Sequence, residues 1–306
     1  MCLDNINRFL EENEMNTIIK PFVIIFCLSF CCSSCFGACP SADLTGDCRV
    51  DFNDFAKLAE QWLNDGEPYP ILNGMTWVSI SDPGVSGHEG FTGEMGKYET
   101  TNAQYCEFLN AALASGDITV SDDTVWGANG SNSGADFVSE EYYNLAGVAG
   151  YTYNGATNGG AARINYSDGL FTVDSGFESH PVTYASWYGA TAFCNYYGYR
   201  LPTEWEWKAV AGYNGSYYFG CGDSINNSIA NYNGSTHPDG TTAVGAFGTY
   251  GYGMCDMAGN VWERTAGGSD LGGSWYNNAS SCTVLYSQHY GPYDDCAYYV
   301  GFRVCR

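Results

Sequence analysis

Positive charge is scarce in this chain: of 306 residues, 11 are Lys or Arg against 34 Asp or Glu, a net charge of −23. Affinity for a nucleic-acid backbone comes from Lys and Arg displacing phosphate counterions, so nucleic acid is excluded as a partner. Histidine is scarce as well. His88, His180, His237 and His289 are scattered, with no pair at the spacing of a helical metal site. The stretch "GVSGHEG" sets a Ser between glycines but lacks the second Gly of a nucleophile elbow, which removes that hydrolase chemistry. A long apolar run is missing too. Residues 18–37, "IIKPFVIIFCLSFCCSSCFG", hold a lysine and then roughly a dozen apolar residues, too few for a comfortable membrane span.

That lysine, apolar stretch and small-residue end match a secretory signal, so residues 1–38 are expected to be removed near Gly37 or Ala38. The acidic leader "MCLDNINRFLEENE" is at odds with a positive n-region, and a start at Met15 would leave Lys20 in that role. The mature chain is expected to be secreted or at the cell surface, with no membrane span. "FGAC" loosely resembles a lipoprotein box, with Phe36 where Leu is usual, so a lipid on Cys39 is the second reading.

The chain is rich in Cys, Gly and Tyr. Of 14 cysteines, those at 39, 48, 106, 194, 221, 255, 282, 296 and 305 would survive cleavage into a disulfide-permissive compartment, an odd number that leaves at least one thiol unpaired. The 39 Gly and 25 Tyr point to many short strands and turns rather than a helical bundle. Excess carboxylate is compatible with Ca²⁺ sites, with extracellular life or with solubility alone.

"DLTGDCRVDFND" places oxygen side chains at Asp43, Thr45, Asp47, Asp51 and Asp54, ahead of an apolar helix "FAKLAEQWL". A hard cation needs such oxygens converging on one point. The segment resembles one repeat of a type I dockerin, which implies Ca²⁺ and a cohesin-like partner. Cys48 stands where the repeat usually has Gly, and a second repeat is absent. Residues 39–64 are read as this repeat and 65–71 as a linker.

From residue 72 onward short β-type runs alternate with Gly, Asn and Ser clusters, interrupted by few helices, so residues 72–306 are expected to form one α+β domain. The first helix is signalled by a capping box at Thr101 and Gln104, with Tyr105, Phe108, Leu109, Ala112 and Leu113 on one face. A second fits "YASWYGATAFCNYYGYRLP". A third starts with a capping box at Thr203 and Glu206 and is expected to end at Gly212.

Six ordered motifs, "MGKYETTNAQYCEFLN", "HPVTYASWYGATAFCN", "YRLPTEWEWKA", "GYGMCDMAGNVWERT", "GGSW" and "GFRV", resemble the formylglycine-generating enzyme (sulfatase-modifying factor) family. The resemblance implies a loop-rich α/β domain related to C-type lectins, often with two Ca²⁺ ions. One ligand set would be Asp256, the backbone of Gly259 and Val261, and Glu263. The other would be Asn231, the Tyr232 carbonyl, Asp239 and the Thr241 carbonyl. It also implies a disulfide between Cys194 and Cys305; Cys221 with Cys255 is a further pairing, and Cys282 has Cys296 and Cys305 nearest in sequence.

Active members resemble thiol-copper oxidases, in which two cysteines after "GGS" hold Cu(I) and oxidise a substrate cysteine. On that pattern the cysteines should stand at 277 and 282, but residue 277 is Asn. An amide is no soft ligand, so copper is not expected, and Cys282 is left as an exchange thiol or a paired or buried one. The segment that follows is rich in Tyr, Asn and His. Trp275, Tyr276, Asn277, Tyr286, His289, Tyr290 and Tyr293 form a candidate ligand face, since Tyr gives large, stiff contact area and small polar residues adapt around it. The two readings are therefore a secreted Ca²⁺-binding module for an unknown protein or glycan, and an oxidase converting a sulfatase cysteine to formylglycine.

Overall fold

The computed structural model of the chain describes residues 70, 72–84, 87–131, 137–147, 161–233, 240–289 and 296–306. The expected signal segment and the loop at Asp43 to Asp54 lie outside the described residues. The described part begins with an antiparallel ribbon, β1 (Trp77–Asp82) with β2 (Phe91–Gly96), and continues into helix α1 (Asn102–Ser115). A three-stranded antiparallel sheet follows: β3 (Ile118–Ser121), β4 (Thr124–Gly127) and β5 (Glu141–Asn144). Next come the hairpin β6 (Ile164–Ser167) and β7 (Leu170–Val173) and the helices α2 (Trp187–Tyr197) and α3 (Glu204–Gly212). The last sheet runs in the order β10-β9-β8-β11, built from β8 (Trp262–Arg264), β9 (Asp270–Leu271), β10 (Ser287–Gln288) and β11 (Val300–Phe302). Between β9 and β10 a 3₁₀ turn spans Ala279–Cys282. The fold is mixed α/β with few helices, and residues 70–306 form one compact unit.

Local chemistry accounts for the helix ends. Thr101 and Thr203 each accept from the backbone N–H three residues on, while Gln104 and Glu206 reach back to the cap N–H, so two orphan donors are satisfied at each start. Helix α1 stops at Gly116 and α2 at Gly198, both left-handed. Helix α3 differs from expectation: Gly212 is its last helical residue and the left-handed cap is Tyr213, at φ 47°. Its ring is held between Tyr217 and Tyr252, which offsets the steric cost of that backbone conformation.

Three apolar clusters fill the interior. Tyr105 and Phe108 of α1, Phe193 of α2 and Phe302 of β11 meet edge to face or stacked in the first, and Trp207 of α3 heads the second with Met257 and Leu271. The third holds Phe219, Cys221, Ala230, Ala258 and Cys282.

The C-terminal residues tie these parts together. Strand β11 runs parallel to β8, and beyond it Val304 O and Phe302 O accept from Gly96 and Thr100. Arg306 exchanges backbone bonds with Glu94, and Cys305 does so with Arg200.

Candidate functional site

The stretch Asp256–Glu263 enters β8 through a turn only glycine can make. Gly259 has φ 82°, and a Cβ there would lie 2.2 Å from the Asn231 carbonyl oxygen. That close approach lets the Asn260 N–H donate to Asn231 O at 2.8 Å. The two ligand sets drawn separately from the sequence therefore adjoin at Asn260. Its Oδ1 accepts from Thr242 N (2.9 Å) and Asn231 Nδ2 (3.3 Å), and its Nδ2 donates to Glu99 Oε2 (3.1 Å).

Glu263 is not a vacant ligand. Arg303 donates to it through Nε (2.8 Å) and Nη2 (2.6 Å), Trp207 Nε1 adds a third bond at 2.6 Å, and all three side chains are fully buried. Arg303 places its remaining N–H groups on the carbonyls of Gly96, Lys97 and Cys255, so both ions are satisfied by protein. The set Asp256, Gly259, Val261 and Glu263 thus does not fit a cation as drawn, because its second carboxylate is already neutralised. Asp256 keeps one bond, from the Gly245 N–H at 2.5 Å, and burial raises its pKa to about 6.

The Asn231 set fits a cation better. Asn231 is buried, and its Oδ1 has no hydrogen-bond partner among the described residues while its Nδ2 donates to Gly240 O at 3.1 Å. An orphaned buried acceptor is what a hard cation would satisfy. Tyr232 is half-buried, the Thr241 hydroxyl lies 2.9 Å from His180 Nδ1, and Asp239 lies outside the described residues. Glu99 presents a second orphan, Oε1, and burial followed by the charges of Asp256 and Glu263 holds its pKa well above the usual carboxylate range. Sequence reasoning missed Glu99, Asn260 and Arg303 as site residues. The available signal was a carboxylate, an amide and a guanidinium inside motifs otherwise destined for burial.

At the position of the first thiol, Asn277 Oδ1 accepts from Trp262 Nε1 (2.7 Å) and Ser274 Oγ (2.6 Å), and its backbone carbonyl accepts from Asn233 (2.8 Å). Cys282 is 0% exposed, with its thiol on the Asn278 carbonyl at 3.7 Å. Gly273 makes room for it: a Cβ there would come within 2.5 Å of the Cys282 sulfur. Burial pushes the Cys282 thiol up to about 12, with the nearby Cys221 adding to the rise, so neither the geometry nor the charge state offers a thiolate. No disulfide joins Cys106, Cys194, Cys221, Cys255, Cys282 or Cys305.

The aromatic face is redistributed. Trp275 is fully buried and serves the interior, while Tyr276 is half-buried and packs against Tyr298 and Tyr299. Tyr286 (43%) and His289 are exposed; Tyr290 and Tyr293 lie outside the described residues. The exposed apolar surface instead joins Tyr286 to Leu285 (65%) and Tyr218 (63%), which a backbone bond from Val284 to the Tyr218 carbonyl brings alongside. Tyr218 went unnoticed because it lies nearly 70 residues away in sequence, where no periodicity marks it.

A family profile, the sulfatase-modifying factor enzyme 1-like domain, matches residues 90–306. The chain belongs to the sulfatase-modifying factor family. Among curated relatives, the formylglycine-generating enzyme of Mus musculus is 35% identical over 101 residues, covering 29% of this chain and 27% of that one. The mouse protein named inactive C-alpha-formylglycine-generating enzyme 2 is 36% identical over 120 residues, covering 32% and 39%. A serine/threonine-protein kinase pkn1 of Chlamydia caviae is 39% identical over 103 residues, 33% of this chain and 16% of the kinase. The aligned part thus spans well under half the length of each of these relatives. Among solved structures, Treponema denticola variable protein 1 aligns with a TM-score of 0.48 at 16% identity, over 77% of this chain and 97% of that one. CarF aligns with 0.48 at 19%, over 76% and 95%.

Proposed function

We propose that this sulfatase-modifying factor domain is a secreted or cell-surface binding module that has given up the copper chemistry of its family. One observation carries the reading. Asn277 occupies the first thiol position with its oxygen bound by Trp262 and Ser274, while Cys282 is sealed beneath Gly273. A soft d¹⁰ cation needs two accessible thiolates, and this arrangement offers neither. The relative named as inactive supports the same direction. The ligand, protein or glycan, would meet the exposed surface of Tyr218, Leu285, Tyr286 and His289, where stiff rings stand beside Asn278, Ser280 and Ser287. Ca²⁺ would be held at Asn231, Tyr232, Asp239 and Thr241. The dockerin-like repeat from Asp43 to Asp54 would hold another and present the module to a cohesin-like partner.

The second reading, an oxidase, rests on retention of Cys282. Incubating the purified protein with Cu(I), O₂ and a sulfatase-type cysteine peptide, followed by mass spectrometry, separates the two. The expected result is an unmodified peptide. An aldehyde on the peptide would end the binding-module reading. Glycan and protein arrays probed with the wild type and with Tyr286→Ala then locate the face.

A further inference from the structure

Cys221 and Cys282 share one buried cluster although 60 residues separate them in sequence. The backbone forces the meeting. Phe219 and Gly222 exchange N–H···O bonds of 2.8 and 3.0 Å, a two-residue turn with Cys221 at its tip. The same segment pairs antiparallel with the other: Phe219 bridges Thr283, and the Val284 N–H donates to Tyr218 O at 3.0 Å. Counting back along that ladder sets Gly220 opposite Cys282, and Cys221 follows it in the turn. Both cysteines are buried in one cluster with Phe219, Ala230 and Ala258, and each donates only a weak bond to a carbonyl, Ser224 O at 3.8 Å and Asn278 O at 3.7 Å. The Cys194–Cys305 pairing implied by the family resemblance also joins two buried neighbours, with Cys305 against the Arg200 carbonyl.

We propose that Cys221 and Cys282 are a disulfide-forming pair, closed during folding by exchange with a small-molecule disulfide or a dithiol carrier. The step is balanced: the two thiols give up two protons and two electrons to form one S–S bond, and the S–S bond of the carrier breaks and leaves as two thiols. Both groups are then shielded, so the bond forms while the segment is still open and afterwards resists exchange. Its location gives it a role. It staples the turn carrying Tyr218 to the strand entry carrying Leu285 and Tyr286, the three residues of the exposed apolar surface, and it removes Cys282 from any thiol chemistry. The inference holds whether or not that surface binds a ligand.

The full chain, reduced and denatured, is refolded in a buffer of reduced and oxidised glutathione, alkylated under denaturing conditions and mapped by non-reducing peptide mass spectrometry. The expected product is a peptide linking Cys221 to Cys282. In Cys221→Ser, Cys282 becomes fully alkylated, and in Cys282→Ser so does Cys221. Reduction should lower the wild-type melting temperature by about 10 °C for a loop of roughly 60 residues, and by markedly less in Cys221→Ser. Linkage of Cys282 to Cys255, Cys296 or Cys305 overturns the proposal. So does quantitative alkylation of both thiols in wild-type protein that has refolded to the native circular-dichroism spectrum.

Discussion

At the scale of single residues, buried charge decides most of what this domain can do. The Arg303–Glu263 pair sits at the junction of β2, α3, β8 and the C-terminal segment with every polar hydrogen used. Replacing Arg303 with Met leaves Glu263 buried and uncompensated, and an expected loss of about 3–5 kcal/mol should be read from urea denaturation. The double variant Arg303→Met with Glu263→Gln should recover part of it. Asp256 gives a pH signature. Its folded pKa of about 6 lies above the ordinary carboxylate value of about 3.8, so the folded state holds its proton more tightly than the unfolded chain. Stability of metal-free protein should therefore fall as pH rises from about 4 to about 6, by roughly 3 kcal/mol for this group, and level off above that. Asp256→Asn should flatten the slope in denaturation curves taken across that window.

At the scale of elements, the helices were legible because their signals are local. Thr101 with Gln104 and Thr203 with Glu206 are capping boxes in the sequence and in the structure. Thr203→Ala removes the acceptor for the Glu206 N–H and should cost about 1 kcal/mol, measurable by thermal unfolding. The end of α3 was less legible, since Gly212 looked like a stop and Tyr213 supplies it, held by rings from elsewhere. Strand pairing was not legible at all. Nothing in the letters of "GFRV" says that β11 runs parallel to β8, or that Cys305 bridges Met95 on one side and Arg200 on the other. The candidate site shows the same division. Asn277 and Cys282 were identifiable from spacing after "GGS". Tyr218 beside Leu285 depends on a long-range backbone bond, and the burial of Trp275 depends on the whole interior.

At the scale of the whole molecule, a chain of net charge −23 and many short elements needs help to stay compact. A divalent cation at the Asn231 set would satisfy an orphaned acceptor and lower the charge at once. Adding Ca²⁺ in excess of its Kd to chelator-treated protein should raise the melting temperature by several degrees, since a ligand at 100 times its Kd contributes about 2.7 kcal/mol. Asn231→Ala should remove the part of that shift belonging to this site, while any response from the Asp43–Asp54 loop remains.

The closing stitches of the fold come from the residues after Tyr299: β11 on β8, Val304 against Gly96, Cys305 between two neighbours and Arg306 on Glu94. Arg303 meets Gly96 and Arg306 meets Glu94 across more than 200 positions of the chain. Contacts of that span cost loop-closure entropy before they repay it, so the domain is expected to fold slowly for its size.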